Sequence, residues 1–516
     1  MIDASRRPES ARQFSWRRAG GRPGSRGISS RPGRISPLLS TTLLGLILLV
    51  IFVHSLILLE STEAAAITRN LLLQMALLGV FWWWSTLRSG TLLNAPFVLV
   101  LAIFFWHSSF FAGRYLHVAE VFEYTGSVLT YGEEFIPRTV ALVSLCLAFA
   151  ILGSVIAFYL RKGQRAPAHA RIWPPGSLAG TPDRRAGRVA ALFAWSLFGA
   201  YLALTLVYLA VEGAGALSGS YLDLYTQASA SVLYRAYQMT KFLGVPFIAL
   251  VIATSKTERA VRLAYAGTLV LMFVTALTGA RTMPFLYCAT LLVAVDYFRK
   301  PVPFTAIVVV AFAGAAASWI ITQGRALGIG LHMFTAGLGA PPISLWHFFW
   351  STGGTVGIVL RTMEFTEKTG LLHGGSFAAA FIYVVPGPLV KWMAPGWTVE
   401  PPSEWLLKQS ADSVAGEGMG YSLVAEVFLN FGIAGCLVFL LIGWLVAYLY
   451  FGFRFRRDVF AALQSLNLVI LLALHLRNDS VTYVRVLVWG AVAIWICGLL
   501  HSGWRGRAAV RRKPAL

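Results

Sequence analysis

Glu426 is the residue whose chemistry is hardest to dismiss. It lies in the stretch 416–435, GEGMGYSLVAEVFLNFGIAG, which begins polar and glycine-rich and then turns hydrophobic. An ionisable carboxylate inside an apolar span is costly, so it marks a functional site by default. At helical spacing Ser422, Glu426 and Asn430 fall at i, i+4 and i+8, a polar stripe down one side. Such a carboxylate can orient or deprotonate a hydroxyl, or it can anchor a cation. The bland alternative is a polar seam buried between packed helices.

Arginines form the second set. Arg235, Arg281, Arg325, Arg477 and Arg485 all sit at the ends of apolar runs, at a depth similar to that of Glu426. A guanidinium offers a planar fork that matches phosphate oxygens, and it keeps its charge when partly buried. Together they predict an anionic ligand, such as the diphosphate of a lipid-linked substrate. Any single one could instead snorkel to lipid headgroups or pair with loop acids. His332, His347 and His373 lie in a long polar segment and are candidate acid or base groups. His107 and His475 fall within apolar runs and read as satisfied inside the bundle. Glu133 and Glu134 could supply a base, but adjacent acids are usually just solvated. There is no D-x-D, H-E-x-x-H, Walker or dinucleotide-binding pattern, so no metal and no cofactor is expected.

The elements that must position these residues follow from hydropathy. Hydrophobic residues make up 57% of the 516, and charged ones only 13%, against ~25% in soluble domains. Apolar runs of membrane-spanning length recur, so the fold class is an all-α, polytopic helical membrane protein. Twelve transmembrane helices are expected, near 38–60, 71–87, 92–112, 139–160, 189–211, 236–254, 263–279, 283–298, 302–322, 421–450, 459–476 and 482–500. Residues 1–37 read as a disordered basic cytoplasmic tail, 38–322 as a bundle of nine spans with a basic cytoplasmic loop at 161–188. Residues 323–420 read as a long external loop, periplasmic if the chain is bacterial, whose apolar patches, such as 376–390, lie at the interface or re-enter it. Spans ten to twelve fill 421–500, and 501–516 is a basic cytoplasmic tail. No removable signal peptide is evident. The four cysteines all lie in apolar runs and read as core residues.

The net charge of +21 does not point to nucleic acid. Of 43 Lys and Arg, 30 fall on one side of this topology. That side is cytoplasmic by the positive-inside rule, with both termini inside. The partner of this charge is the anionic surface of the lipid bilayer, not a nucleic acid.

Gly-Tyr421-Ser422 followed by Ala425-Glu426, then Asn430-Phe431-Gly432 and Gly435, resembles the late-span signature of Wzy-type oligosaccharide repeat-unit polymerases. Gly279-Ala280-Arg281 resembles the small-residue-plus-arginine motif these proteins place at a span end. His475-Leu476-Arg477-Asn478-Asp479 resembles their later arginine site. Arg281, Arg325 and Arg361 depart from one pattern, lacking a glycine at R-x10-G spacing. The resemblance implies a glycosyltransferase of GT-C-like architecture in the bacterial inner membrane, acting at the periplasmic face. Its partner would be an undecaprenyl-diphosphate-linked oligosaccharide, whose glycan is transferred to the non-reducing-end hydroxyl of a second lipid-linked unit. Such a polymerase makes O-antigen or exopolysaccharide, with a chain-length regulator and a flippase as further expected partners. In those terms Arg281 and Arg477 would hold the diphosphate without metal, with Arg325 as a third contact. Glu426 would be the base or the anchor that fixes an arginine, and His332 the runner-up base. Arg235, Tyr421, Asn430 and Asp479 would contact substrate. An O-antigen ligase would share the donor and differ in acceptor, and a lipid-linked oligosaccharide flippase would catalyse no transfer. The absence of a clear internal repeat argues against the flippase.

Overall fold

The computed structural model describes residues 37–61, 63–89, 91–117, 134–162, 184–211, 231–278, 282–299, 302–324, 338, 352–385, 389–390, 392, 401–409, 421–456 and 459–511. Among them every regular element is a helix. In chain order these are α1 (Pro37–Leu58), α2 (Ala64–Ser89), α3 (Ala95–His107), α4 (Ser109–Tyr115), α5 (Phe135–Lys162) and α6 (Arg184–Val211). Then come α7 (Val232–Thr240), α8 (Gly244–Thr254), α9 (Glu258–Leu277), α10 (Thr282–Phe298) and α11 (Phe304–Gly324). The rest are α12 (Val356–Thr369), α13 (Gly375–Ile382), α14 (Pro402–Gln409), α15 (Leu423–Phe431), α16 (Cys436–Arg456), α17 (Val459–His475) and α18 (Ser480–Arg511).

Each of the twelve apolar stretches folds as helix. Among the described residues eight are long and apolar enough to cross a bilayer, or nine if the bent pair α3–α4 is one span. The shorter apolar helices are Thr282–Phe298, Phe304–Gly314 and Val459–Ala473. At ~1.5 Å per residue the first of these reaches about 25 Å, less than the ~30 Å of a hydrocarbon core.

Three spans that read as continuous are broken, each for a local reason. The third turns by 54° at Ser108. The hydroxyl of Ser109 donates to the Phe105 carbonyl at 2.6 Å, back-bonding of a kind that bends helices. The sixth passes through a 3-10 turn, Lys241–Leu243, between α7 and α8. Span ten breaks at Gly432–Gly435, between α15 and α16. There Gly432 has φ +60° and ψ −146°, a conformation open to glycine alone, and a Cβ on Gly435 would meet the Val427 carbonyl at 2.3 Å.

The bundle is built round the crossing of α5 and α16. Gly153 and Gly443 let the two backbones touch, and Ser154 Oγ donates to the Gly443 carbonyl at 3.2 Å across the contact. Small residues at a close crossing are how helices associate where no water drives them together. A buried polar cluster ties α1 and α2 to the same core: Asn70 Nδ2 donates to Ser55 Oγ at 3.3 Å, and Gln74 Nε2 to Ser144 Oγ at 2.7 Å.

The bundle has two distinct poles. At one, Arg88 stands over Phe158, Arg161 lies 3.6 Å above the Tyr448 ring, and Thr91 meets Tyr450 at 3.0 Å. At the other, α3 and α17 end while α5, α15 and α18 begin. Arg138 pairs there with Glu367 of α12 at 2.8 Å, in an exposed ion pair of little energetic weight. The candidate site lies at this second pole.

Candidate active site around Glu426

Ser422 opens α15 as its N-cap, its Oγ accepting from the amides of Val424 and Ala425 at 3.2 and 3.3 Å. The same hydroxyl meets His107 Nε2 at 2.7 Å, and His107 Nδ1 meets the Ile103 carbonyl at 3.1 Å. His107 is therefore satisfied within the bundle. One turn on, Glu426 is wholly enclosed, at 0% exposure.

Three donors surround its carboxylate. Oε1 accepts from Ser376 Oγ at 2.7 Å and from Ser480 Oγ, while Oε2 accepts from the Ser480 amide at 2.8 Å. Ser480 is the first residue of α18, so the Glu426 carboxyl group sits at a helix N-terminus, where the macrodipole favours negative charge. Asn430, also fully buried, donates to Ser376 Oγ and to the Glu426 carbonyl, both at 2.7 Å. Ser376 thus passes a hydrogen bond from Asn430 to Glu426, and one carboxylate ties α13 and α18 to α15.

The approach of α13 is prepared by its own turn. Gly370, His373 and Gly374 have φ of +81°, +47° and +90°. This lets the Leu372 amide donate to the Leu429 carbonyl at 2.9 Å, close to the break that ends α15. Phe377 then stacks on Phe431 with centroids 6.0 Å apart, and Trp489 Nε1 holds the Val384 carbonyl at 3.1 Å.

Asp479 caps α18, its Oδ1 accepting from the Thr482 amide at 3.1 Å and its Oδ2 from Ser403 Oγ at 2.6 Å. Asp479→Ala is expected to cost about 1–2 kcal/mol through the lost cap, read as a lower unfolding temperature in detergent. Tyr421, fully buried, meets Thr362 of α12 at 3.2 Å. His475 brings its Nε2 within 3.9 Å of Glu426 Oε2 and stacks on Tyr483 at 4.4 Å. The expectation that His475 is satisfied holds only in part, the Asp479 backbone lying near enough to interact with its ring. Stacking on Tyr483 sets the ring, and its buried Nδ1 finds no hydrogen-bond partner among the described residues.

The structure therefore gathers Glu426, Asn430, Asp479 and Tyr421 with the arginine motif 475–479. Arg477 is part-buried, its guanidinium 5.2 Å from the Trp106 ring centre. Arg235 is exposed on α7. Arg281, Arg325, His332 and His347 lie outside the described residues. Sequence reasoning missed Ser376, Ser480 and Ser403. Of these only Ser480 carried a signal, since Asn478-Asp479 before an apolar run marks a helix start.

Comparison with curated proteins and with solved structures found no match. The family model described as O-antigen polysaccharide polymerase Wzy matches residues 42–502, from the first turns of α1 to near the apolar end of α18. That span holds the Glu426 cluster, both poles and nearly the whole chain, and the chain belongs to the O-antigen polysaccharide polymerase Wzy family.

Proposed function

We propose that this chain polymerises undecaprenyl-diphosphate-linked oligosaccharide repeat units at the periplasmic face of the bacterial inner membrane. The growing glycan leaves its diphosphate and joins the non-reducing-end hydroxyl of a second lipid-linked unit. The new glycosidic bond replaces the bond from the sugar's anomeric carbon to phosphate, the hydroxyl proton is released, and undecaprenyl diphosphate departs. Family membership carries the coarse statement, an O-antigen repeat-unit polymerase working on lipid-linked oligosaccharide in a membrane.

The observation that supports the finer reading is the placement of the Glu426 cluster. At its centre stand Glu426 and Asn430, two of the residues on which the family resemblance rests, at the pole opposite Arg88 and Arg161. On the positive-inside rule that pole faces the periplasm.

Within this reading Glu426 is a positioning residue. A general base must come within hydrogen-bond reach of the proton it takes. The Glu426 carboxylate is enclosed and already holds three donors. What it fixes is the start of α18 and the turn 476–479 that carries Arg477. Arg477, with Arg281 and Arg325, would neutralise the charge that grows on the departing diphosphate, which needs no metal.

The test is an assay of purified protein with a lipid-diphosphate-linked repeat unit, with and without EDTA. The expected result is a ladder of multiples of the repeat unit, unchanged by EDTA. A ladder lost on chelation would remove the metal-independent step. A single transfer seen only after adding lipid A core would mean a ligase, and no product from verified substrate would favour transport.

A further inference from the structure

A second polar feature lies one turn along α18 from the Glu426 cluster. A cleft of about 200 Å³ opens there between the α7–α8 break and the start of α18, lined by Gln238, Met239, Lys241, Thr482, Arg485 and Val486. One ordered water needs only ~10–15 Å³ of such space, so the cleft has room for a polyatomic group. Its described charged lining is cationic on both walls, Lys241 from the broken span and Arg485 from α18.

The Lys241 wall is rigid by construction. At the break the Tyr201 hydroxyl donates to the Lys241 carbonyl, and the Tyr287 hydroxyl lies 3.0 Å from the same oxygen and hydrogen-bonds the Tyr201 hydroxyl. Gly244 packs so closely beneath that a Cβ would stand 2.7 Å from both tyrosine rings. The backbone at Lys241 is thereby pinned while its side chain reaches the cleft. Among the described residues its ammonium hydrogen-bonds only the neutral amide of Gln238.

The opposite wall carries an unmet donor. The buried Nε of Arg485 has no hydrogen-bond partner among the described residues. Asp479 is close enough to act electrostatically on both cations, yet its own oxygens are engaged by Ser403 and the Thr482 amide. Two cations thus share one neighbouring carboxylate, and the remaining positive charge faces the cleft. A guanidinium fork beside an ammonium suits the several oxygens of a phosphoryl group. Discontinuous spans that line a polar cavity are a recurrent place for such sites.

We propose that this cleft binds the phosphoryl group of a lipid phosphate, through Lys241 and Arg485 with Gln238 and Thr482 as neutral contacts. The inference deepens the polymerase reading and rests on it for the case in which the lipid is the glycan carrier. Two sources share the chemistry, a polyprenyl diphosphate and a phosphoglyceride headgroup.

The full chain in phosphatidylcholine nanodiscs, probed with undecaprenyl diphosphate and with phosphatidylglycerol, separates them. Retention of each lipid is read by native mass spectrometry, with inorganic pyrophosphate as competitor. The variant Lys241→Gln/Arg485→Gln is expected to hold at least one of the lipids about tenfold or more weakly, and Lys241→Arg/Arg485→Lys to keep it. Loss confined to undecaprenyl diphosphate assigns the cleft to the carrier, and equal loss of both assigns it to any lipid phosphate. Unchanged retention of both lipids, or no retention by the unsubstituted protein, overturns the proposal.

Should the glutamine variant fail to fold, a diazirine-bearing polyprenyl diphosphate on the unsubstituted protein decides the matter. Crosslinks within 238–241 or 482–486 support the site, and crosslinks only elsewhere overturn it. Chain growth measured in the same discs keeps the two readings apart. Polymer formed while the glutamine variant binds normally sinks the cleft alone, whereas cleft-dependent binding without polymer sinks the polymerase reading alone.

Discussion

Glu426→Ala is expected to end chain growth and to loosen the bundle, while Glu426→Gln keeps chain growth within about tenfold of the unsubstituted protein. The alanine variant strands three buried donors, the Ser376 and Ser480 hydroxyls and the Ser480 amide. Each buried group left without its partner costs about 1–3 kcal/mol, so the variant loses at least ~3 kcal/mol. Glutamine is nearly isosteric. Its carbonyl can face the Ser480 amide, and its NH2 can donate to hydroxyls that rotate to accept.

The contrast separates the two roles open to this residue. A general base contributes about 10²–10⁴-fold, and an amide cannot take a proton at neutral pH. An anchor needs only its acceptors. Ladder length and yield would be compared at matched amounts of folded protein, with folding followed by size exclusion. A folded Glu426→Gln protein that has lost a hundredfold in chain growth would return Glu426 to the role of base.

The polar stripe of Ser422, Glu426 and Asn430 was legible because helical spacing and burial cost are local properties of the chain. All three are fully buried, and two of them converge on one serine. Ser376 itself was not legible. It comes from a segment about 50 residues earlier that read as interfacial, and a serine among alanines carries no signal of its partner. What brings it in is a turn with three positive φ angles and a carbonyl near a helix break, neither of which hydropathy reports.

The breaks themselves follow the same logic. Hydropathy averages over about twenty residues, so Ser108, Lys241 and Gly432 vanish inside apolar runs. Yet two of the three interruptions border the features that carry the chemistry. The Gly432 break sits beside the Leu429 carbonyl that receives α13, and the Lys241 break places a cation against α18. Lys241 falls inside the apolar run 236–254, where no neighbouring residue marks it as part of a site. Only the tertiary approach of Arg485 makes it part of a cleft.

Gly443→Ala is expected to destabilise the bundle more than its single methyl would indicate, and Gly443→Leu to leave no folded protein. A Cβ at Gly443 would stand 2.0 Å from the Ala150 carbonyl oxygen, and one at Gly153 would stand 2.1 Å from the Leu440 carbonyl oxygen. These neighbours are backbone atoms, so no rotamer change relieves the clash, and α5 and α16 must move apart. Separation breaks the Ser154–Gly443 hydrogen bond and opens the edge-on contact of Phe158 with Phe451, now 5.1 Å between centroids. Overpacking of this kind costs about 1–3 kcal/mol or more.

Gly79 and Gly199 supply the control, since a Cβ at either meets nothing within 4 Å. Alanine there should leave stability unchanged or raise it by about 0.5–1 kcal/mol, as it does for glycine inside a helix. Thermal unfolding of the three alanine variants in one detergent would show Gly443→Ala alone falling, and equal midpoints would discard the close crossing. Because α16 continues α15 across Gly432–Gly435, a displaced α16 carries Glu426 with it. Gly443→Ala should therefore also lower chain growth per folded molecule, although the atoms nearest a Gly443 Cβ all belong to Ala150.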